Sequence, residues 1–580
     1  MGDRLGSVSD SSNDPRSLRG GRASLRLRAA ELRAAGSRTR QTGALAVLTG
    51  AMTGLAVAGF DRLVAMGMFD RVLRAPLWMQ AVLPVAGLVI AAVVLRTLGR
   101  RVSPSTADEY IKDFHDPEGR FDQRPVPARL LASVATLGSG GAMGFEGPSI
   151  YIGASVGSWL HSRFSSVFSR EDNKLLMVCG AAAGVAAIFK APATGMVFAL
   201  EVPYRQDLAR RMLLPAMFSA ATSYVVYVAV NGTTPLFPVG GSPPFDLRDL
   251  GGAAALGLLA GVGARGVALV LRLAKSIASS RSASVRLPLV AIGLVASFAA
   301  TRGLTGESLS IGSGYGAIDW ALQPGHAVLT IAAIFLLRLV ATSLAVGAGG
   351  VGGLFVPLVV QGALLGGVVG AVVRAPDPSF FPLLGVAAFL GAGYRVPLAA
   401  VVFVAETTGR PGFVVPALIA AATSQLLMGE SSVTPYQESA RTSQLTRRLA
   451  LPVTAALRTD AATVPPDATV AEYFDHHVSQ LRLRVVPVVN GTTYCGMVYL
   501  RDIAHLRRSD WEATTVASVT QADAPVADVS WTLAEALQTM EAADVERLAV
   551  LDCDGYVGMI TTGEILKLDR ILDDAEELSE

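Results

Sequence analysis

Uncharged stretches dominate the first three quarters of the chain. No Asp, Glu, Lys or Arg occurs from Thr42 to Phe60, Ala75 to Leu95, Met212 to Phe245, Leu287 to Thr301, Ala321 to Leu337, Leu339 to Val373, or Gly412 to Gly429. Each run is long enough, or nearly so, to cross a hydrocarbon layer of ~30 Å as a helix. Gly and Pro interrupt many of them, which predicts discontinuous helices whose broken ends line a polar site buried in protein. After Glu430 the pattern changes to a polar linker. Two shorter units follow, each with a helix-like stretch (Val470 to Val478; Leu533 to Ala542), a β-branched strand (Val485 to Val489; Leu548 to Leu551), a turn, another strand and a helix.

Two repeats organise the chain. Gly138, Gly140, Gly141, Gly144, Pro148, Gly153 and Gly157 recur 209 positions later as Gly347, Gly349, Gly350, Gly353, Pro357, Gly362 and Gly366. Phe189-Lys190-Ala191-Pro192 with Glu201 recurs 205 positions later as Tyr394-Arg395-Val396-Pro397 with Glu406. These matches predict two homologous membrane halves in inverted topology. The second repeat has a displacement of 62: Gly496-Met497-Val498 before Asp502, and Gly558-Met559-Ile560 before Glu564.

Composition sharpens this division. Charged residues are 17% of the 580, against ~25% in ordinary soluble chains. Residues 451–580 carry 9 basic and 22 acidic side chains, net −13, so with +2 overall the first 450 carry +15. The tail therefore reads as an acidic, water-facing domain. The Arg- and Ser-rich first forty residues lack the apolar core of a signal peptide, and their charge places the N-terminus in the cytoplasm. Three scattered cysteines and six histidines offer no metal-ligand spacing, which excludes disulfide scaffolds and zinc enzymes. The G-x-G-x-x-G strings at Gly261 and Gly347 follow no strand of a βαβ unit and read as membrane packing.

The candidate chemistry centres on Gly144-Phe145-Glu146-Gly147-Pro148, one carboxylate among glycines where a helix starts. Proline in a first helical turn leaves free backbone N–H groups at the positive end, an anion seat. Phe355, in Gly353-Leu354-Phe355-Val356-Pro357, occupies the equivalent position in the second half, so two helix starts can face one site. An ionised Glu146 would compete for that seat with a mobile anion, and protonation would release it, making the gate pH-sensitive. Glu201, Glu406, Lys190 and Arg395 read as fold-stabilising charges at helix ends.

These segments resemble the CLC family of chloride channels and chloride/proton exchangers, followed by a pair of cystathionine-β-synthase (CBS) domains. Gly144 to Pro148 is similar to the family's G-[KR]-E-G-P signature, with Phe145 replacing the basic residue, and Gly353 to Pro357 matches G-x-F-x-P. Thr434-Pro435-Tyr436 resembles the start of the last membrane helix, which carries the inner-gate tyrosine. The resemblance implies a multi-pass helical membrane protein with a CLC-like inverted repeat and a cytoplasmic α/β CBS pair. Its divisions are a segment 1–40, a transport domain 41–430, the last helix and linker 431–451, the CBS pair 452–570 and an acidic tail 571–580.

The resemblance further implies that Glu146 is the gating glutamate. Leu354 and Phe355 N–H groups would hold a central anion, lined also by Gly144, Phe145, Gly147 and Val356, and the Tyr436 hydroxyl would complete it. The family's G-S-G-I-P segment aligns with Ser103-Pro104-Ser105-Thr106-Ala107; Pro104 falls at the serine, so only Ser103 or Ser105 could supply a hydroxyl, and nitrate preference is implied. Val202, beside Glu201, stands where exchangers carry an internal proton-accepting glutamate. That favours a passive anion channel, with proton-coupled exchange as the alternative. A homodimer in the bacterial plasma membrane with both termini cytoplasmic, lipid and small anions as partners, and no nucleic acid, are also implied. The CBS pair implies adenine nucleotide held by Thr561 and Glu564 in one copy and by Tyr499 and Asp502 in the other; no other cofactor is expected. A CBS-linked magnesium channel would need acidic residues at the membrane entrance, which the uncharged runs lack. A membrane-embedded enzyme would need a nucleophile and base there, and none appears.

Overall fold

A computed structural model describes residues 40–579 except 101, 117–120, 165–169, 238, 240–244, 281–282, 439–447 and 554. The segment 1–39 thus lies outside the described residues. The chain divides into two compact units, Met1–Glu438 and Ser439–Glu580.

The first unit is helical throughout. Its first half holds α1 (Arg40–Arg74), α2 (Leu77–Thr97), α3 (Ala107–Phe114), α4 (Val126–Gly138), α5 (Glu146–Arg163), α6 (Arg170–Phe189), α7 (Pro192–Glu201) and α8 (Leu213–Asn231). The second half holds α9 (Leu247–Ser280), α10 (Ala283–Thr305), α11 (Tyr315–Ala321), α12 (Val328–Gly347), α13 (Phe355–Val373), α14 (Phe380–Tyr394), α15 (Pro397–Thr408) and α16 (Val414–Met428). Eight helices among the described residues are long and apolar enough to cross a membrane. The rest are too short or too fully buried in protein to need lipid. The uncharged run Leu339 to Val373 is not one span, because residues 348–354 break it between α12 and α13.

The repeat is built into the packing. α5 begins at Glu146 and α13 at Phe355, 209 residues apart. Gly153 and Gly157 of α5 press on the backbones of Gly180 and Leu176 in α6; Gly362 and Gly366 of α13 press likewise on Gly385 and Phe381 in α14. A Cβ at any of these four would collide with a carbonyl, which is why the repeated positions are glycine. Lys190 and Arg395 each take a left-handed conformation (φ 53° and 57°) that ends one helix two residues before a Pro-started one. Gly144 and Gly353 exchange both backbone hydrogen bonds, at 2.9 and 2.8 Å. This isolated antiparallel bridge joins equivalent positions of the two halves.

A further tie crosses the halves. Arg338 of α12 is fully buried, and its guanidinium donates to the carbonyls of Leu309, Ile311, Gly312 and Ser313 at 2.9–3.3 Å. The loop held in this way returns the Gly312 N–H to the Gly140 carbonyl at 2.7 Å. An unpaired buried guanidinium is tolerated because these carbonyls replace its hydration.

The second unit contains an antiparallel pair, β1 (Val485–Asn490) with β2 (Thr493–Tyr499), and a sheet of β3 (Val526–Asp528), β4 (Arg547–Asp552) and β5 (Gly555–Thr561) in that order. A helical turn at 470–480 and α17 (Leu533–Ala542) precede the two hairpins, each opened by a capping box, Thr469 with Glu472 and Thr532 with Glu535. Each copy has its own core: Val470, Tyr473, Val486, Val488 and Val498 in one, and Leu533, Leu548, Val550 and Ile560 in the other. The final helix, α18 (Thr562–Ser579), runs through the acidic last residues, so 571–579 continue a helix and form no separate tail.

Candidate anion site at two helix starts

The Gly144–Gly353 bridge brings the two helix starts together, and Glu146 fills the space between them. Its side chain is almost wholly buried. Oε1 accepts from the N–H groups of Phe355 at 2.5 Å and Val356 at 3.3 Å, the exposed donors of α13's first turn. Oε2 has no protein partner. A Cβ at Gly144 or Gly353 would land on this carboxylate, so glycine is required for the seat to exist. Charge-assisted bonds and the positive helix end both favour an anion here. Phe145 packs on Phe60, with ring centroids 6.5 Å apart.

Several expected lining groups are displaced. The Leu354 N–H faces the hydroxyl of Tyr394, and Val356 joins Phe355 in holding Glu146. Tyr436 is not at the site: its side chain is 43% exposed and lines an open cavity with Lys112, Asp113 and Glu438. Residues 431–438 are not helical, so no membrane helix begins at Thr434 among the described residues, and 439–447 lie outside them. The buried tyrosine at the site is Tyr394, the last residue of α14, between Phe198 (5.7 Å between rings) and the start of α13.

The hydroxyl expected from Ser103 or Ser105 comes from elsewhere. Ser105 Oγ turns to Asp108 at 3.4 Å, and Ser103 Oγ accepts from the Ser105 N–H at 3.1 Å. Thr106, the residue before α3, is buried and does not cap its helix, and its Oγ1 has no partner. That oxygen lies against Gly147, which itself touches Gly353. Thr106 therefore presents the hydroxyl that Pro104 cannot. Beside it Asp108 is neutralised by Lys275 of α9 at 2.6 Å.

Glu201 and Glu406 are helix caps. Glu201, ending α7, accepts from the N–H groups of Leu398 and Ala399 at the start of α15 (3.1 and 2.9 Å). Glu406, near the end of α15, accepts from Ala193 and Thr194 N–H and from Thr194 Oγ1 at the start of α7 (2.9, 2.7 and 2.7 Å). Val202 is buried, its N–H spent on the Phe198 carbonyl at 2.9 Å.

In the second unit the four nucleotide candidates are engaged locally. Asp502 accepts from the Tyr499 N–H at 3.2 Å and from Gln521 Nε2 at 2.9 Å. Thr561 Oγ1 accepts from the Glu564 N–H at 3.1 Å, and the Glu564 carboxylate faces Arg458 at 3.9 Å and Lys567 at 4.0 Å.

Two broken helices meeting around a buried carboxylate define an anion-transporting membrane protein with a paired small α/β module. The family described as voltage gated chloride channel matches residues 86–429, and CBS domains match 453–509 and 516–570. The chain belongs to the CLC family, with a CBS pair at its C-terminal end. It is 29% identical over 353 residues to the H(+)/Cl(-) exchange transporter ClcA of Citrobacter koseri, covering 58% of this chain and 74% of that one, and 28% identical over the same length to that of Salmonella typhi. The fold is shared with a slow cyanobacterial Cl-/H+ antiporter (TM-score 0.60, 21% identity, 70% of this chain and 97% of that one). A eukaryotic CLC transporter matches over 91% of this chain and 98% of its own, with TM-score 0.58 and 17% identity.

Proposed function

We propose that this chain exchanges chloride for protons across a membrane, with Glu146 as the gate common to both ions. The observation that carries this reading is the Glu146 carboxylate seated on the N–H groups of Phe355 and Val356, where a free anion would bind. A carboxylate there blocks the seat while ionised. Protonated, it loses its attraction for the helix end, swings away, and lets chloride in. Each opening thereby binds a proton, which is the physical basis of coupling.

The passive-channel reading rested on Val202, and the exchange transporters among the relatives favour the alternative. Thr106 bears on the ion. With its hydroxyl beside the seat, Pro104 no longer deprives the site of a donor, and chloride replaces nitrate as the expected substrate. Exposed apolar side chains on α8 and α16, among them Met217, Phe218, Val225, Val415 and Leu426, are suited to contact lipid, and the assembly is proposed to be a homodimer. The basic N-terminal segment supports a cytoplasmic N-terminus, and the acidic, water-facing paired module is proposed to lie on the same side. The CBS pair is proposed to bind adenine nucleotide through Thr561 and Glu564.

The test is uphill proton movement. Purified protein in liposomes with an outward chloride gradient and equal pH on both sides should drive protons inward. Chloride efflux without proton movement would refute exchange and restore the channel.

A further inference from the structure

An exchanger needs a group that takes protons from the water at the face opposite the gate, because transfer through a low-dielectric interior requires titratable groups or water. Val202 has none, and both oxygens of Glu201 are held by α15. Yet the segment holding Val202 has an acid beside it. Gln437 Nε2 donates to the Val202 carbonyl at 2.9 Å, the Glu438 N–H to Pro203 O at 3.2 Å, and the Arg205 N–H to Glu438 O at 2.9 Å. The Glu438 backbone is therefore fixed next to the place where an acceptor is missing.

Facing it, at the end of α3, is His115. Its Nε2 lies 2.7 Å from the Pro203 carbonyl and its Nδ1 lies 3.6 Å from Glu438 Oε2. A carbonyl oxygen can only accept, so Nε2 carries the proton and Nδ1 turns its lone pair to the carboxylate. Two acceptors opposed in this way repel until one proton lies between them. The pair borders an open cavity of about 560 Å³, and the Glu438 side chain is 35% exposed, so water reaches it. Among the described residues, the charged groups around it include Lys112, Asp113 and Asp116 at the end of α3, Arg205 held by Glu430, and Lys174 of α6 over the Phe114 ring.

From this pair a line of polar atoms leads inward. Gln437 also donates to the Tyr394 carbonyl at 2.6 Å, while its buried Oε1 has no protein partner. The Tyr394 hydroxyl meets the foot of α13 at Leu354, and Glu146 Oε2 beyond it is again without a partner. Buried acceptors of this kind are normally satisfied by water.

We propose that His115 and Glu438 form the inner proton-loading site of this chain, and that water held by Gln437 Oε1, with the Tyr394 hydroxyl, passes the proton to Glu146. The route rests on the exchange reading. One proton binds between Nδ1 and Oε2; the bridging waters and the Tyr394 hydroxyl each give one proton forward as they receive one from behind, Gln437 Oε1 only accepting from the water it holds, and Glu146 ends neutral. The Tyr394 hydroxyl carries the moving proton, Gln437 positions the water that brings it, and the Glu201 and Val202 positions are bypassed.

The test uses the full-length protein in liposomes, measuring chloride efflux and uphill proton movement together. Glu438→Gln removes the carboxylate; His115→Gln keeps a donor for the Pro203 carbonyl but cannot titrate. In each variant that still passes chloride, proton movement per chloride should fall at least tenfold. Wild-type coupling retained in both variants overturns the route and leaves exchange standing. Wild-type protein that moves no protons overturns exchange and the route together. Loss of coupling in one variant that still passes chloride, with the other failing to fold, supports the route.

Discussion

Replacing Glu146 by Gln tests the gate by removing its charge at nearly constant shape. The carboxylate accepts two N–H bonds from α13, at 2.5 and 3.3 Å. A bond to a charged acceptor contributes about 1.5–3 kcal/mol and one to a neutral acceptor about 0.5–1.5, so the amide loses about 1–1.5 kcal/mol per bond. Two bonds give about 2–3 kcal/mol, and the helix end adds about 0.3–1 kcal/mol for the lost charge. At about 1.4 kcal/mol per decade, the seat opens at least ~30-fold more often in the variant. Reconstituted wild-type protein should pass more chloride as pH falls, because protonation of Glu146 empties the seat. The Gln variant should pass chloride at a high rate that does not change with pH, and should move no protons. A variant that kept the wild-type pH profile would refute the assignment of Glu146 as the gate.

Three further outcomes follow from the geometry. Glu406→Ala removes three donors' partner at the start of α7 and should lower stability in detergent by about 1–3 kcal/mol, while Glu201→Gln should weaken α15 similarly and leave the proton-to-chloride ratio of the folded protein intact; selective loss of that ratio would make Glu201 a proton group. Thr106→Val deletes one hydroxyl and should weaken chloride binding about 2- to 13-fold, for a bond worth about 0.5–1.5 kcal/mol, whereas Pro104→Ser should leave the chloride-to-nitrate preference unchanged in paired flux assays. For the CBS pair, ATP or AMP at a hundred times its dissociation constant should stabilise residues 452–580 by about 2.7 kcal/mol, and a melting curve unmoved at millimolar nucleotide would exclude the site.

What the sequence made legible was what the repeat forces. Gly144, Gly353 and Glu146 stand out because a lone acid among glycines at a helix start has few structural uses, and the structure places all three in contact. α9 was not legible as a span, since Arg265, Arg272 and Lys275 interrupt it; Lys275 is accommodated by Asp108. Thr106 does not stand out in the sequence, because the motif it belongs to points to a serine two positions earlier, where Pro104 stands. Its place before Ala107-Asp108-Glu109 is that of a helix N-cap, which predicts a hydroxyl spent on the helix, so the sequence carries no signal for the unpartnered one. Tyr394 had a signal too: the 205-residue repeat pairs it with Phe189, so both helix breaks carry an aromatic beside a basic residue, and only one of the two bears a hydroxyl. Tyr436 misled because its motif presumes a helix start that residues 431–438 do not form.

Among the described residues of this unit, three glutamates each sit on the N-terminus of a helix in the other half, yet only one is suited to be a gate. Glu406 uses both oxygens on three donors at 2.7–2.9 Å, and Glu201 uses both on two. Each joins one half of the repeat to the other, so releasing it would unpin a helix. Glu146 binds through one oxygen, its second is without a partner, and the glycines on either side place no Cβ in its way. The residue it rests on, Phe355, is held independently by Phe189, Phe198 and Phe403, with rings 4.5–5.3 Å away. Removing Glu146 from its seat therefore leaves the helix start in place for another anion. The same device acts as a lock where two carboxylates pin the start of each of α7 and α15 to the other helix, and as a gate where the helix is fixed without it.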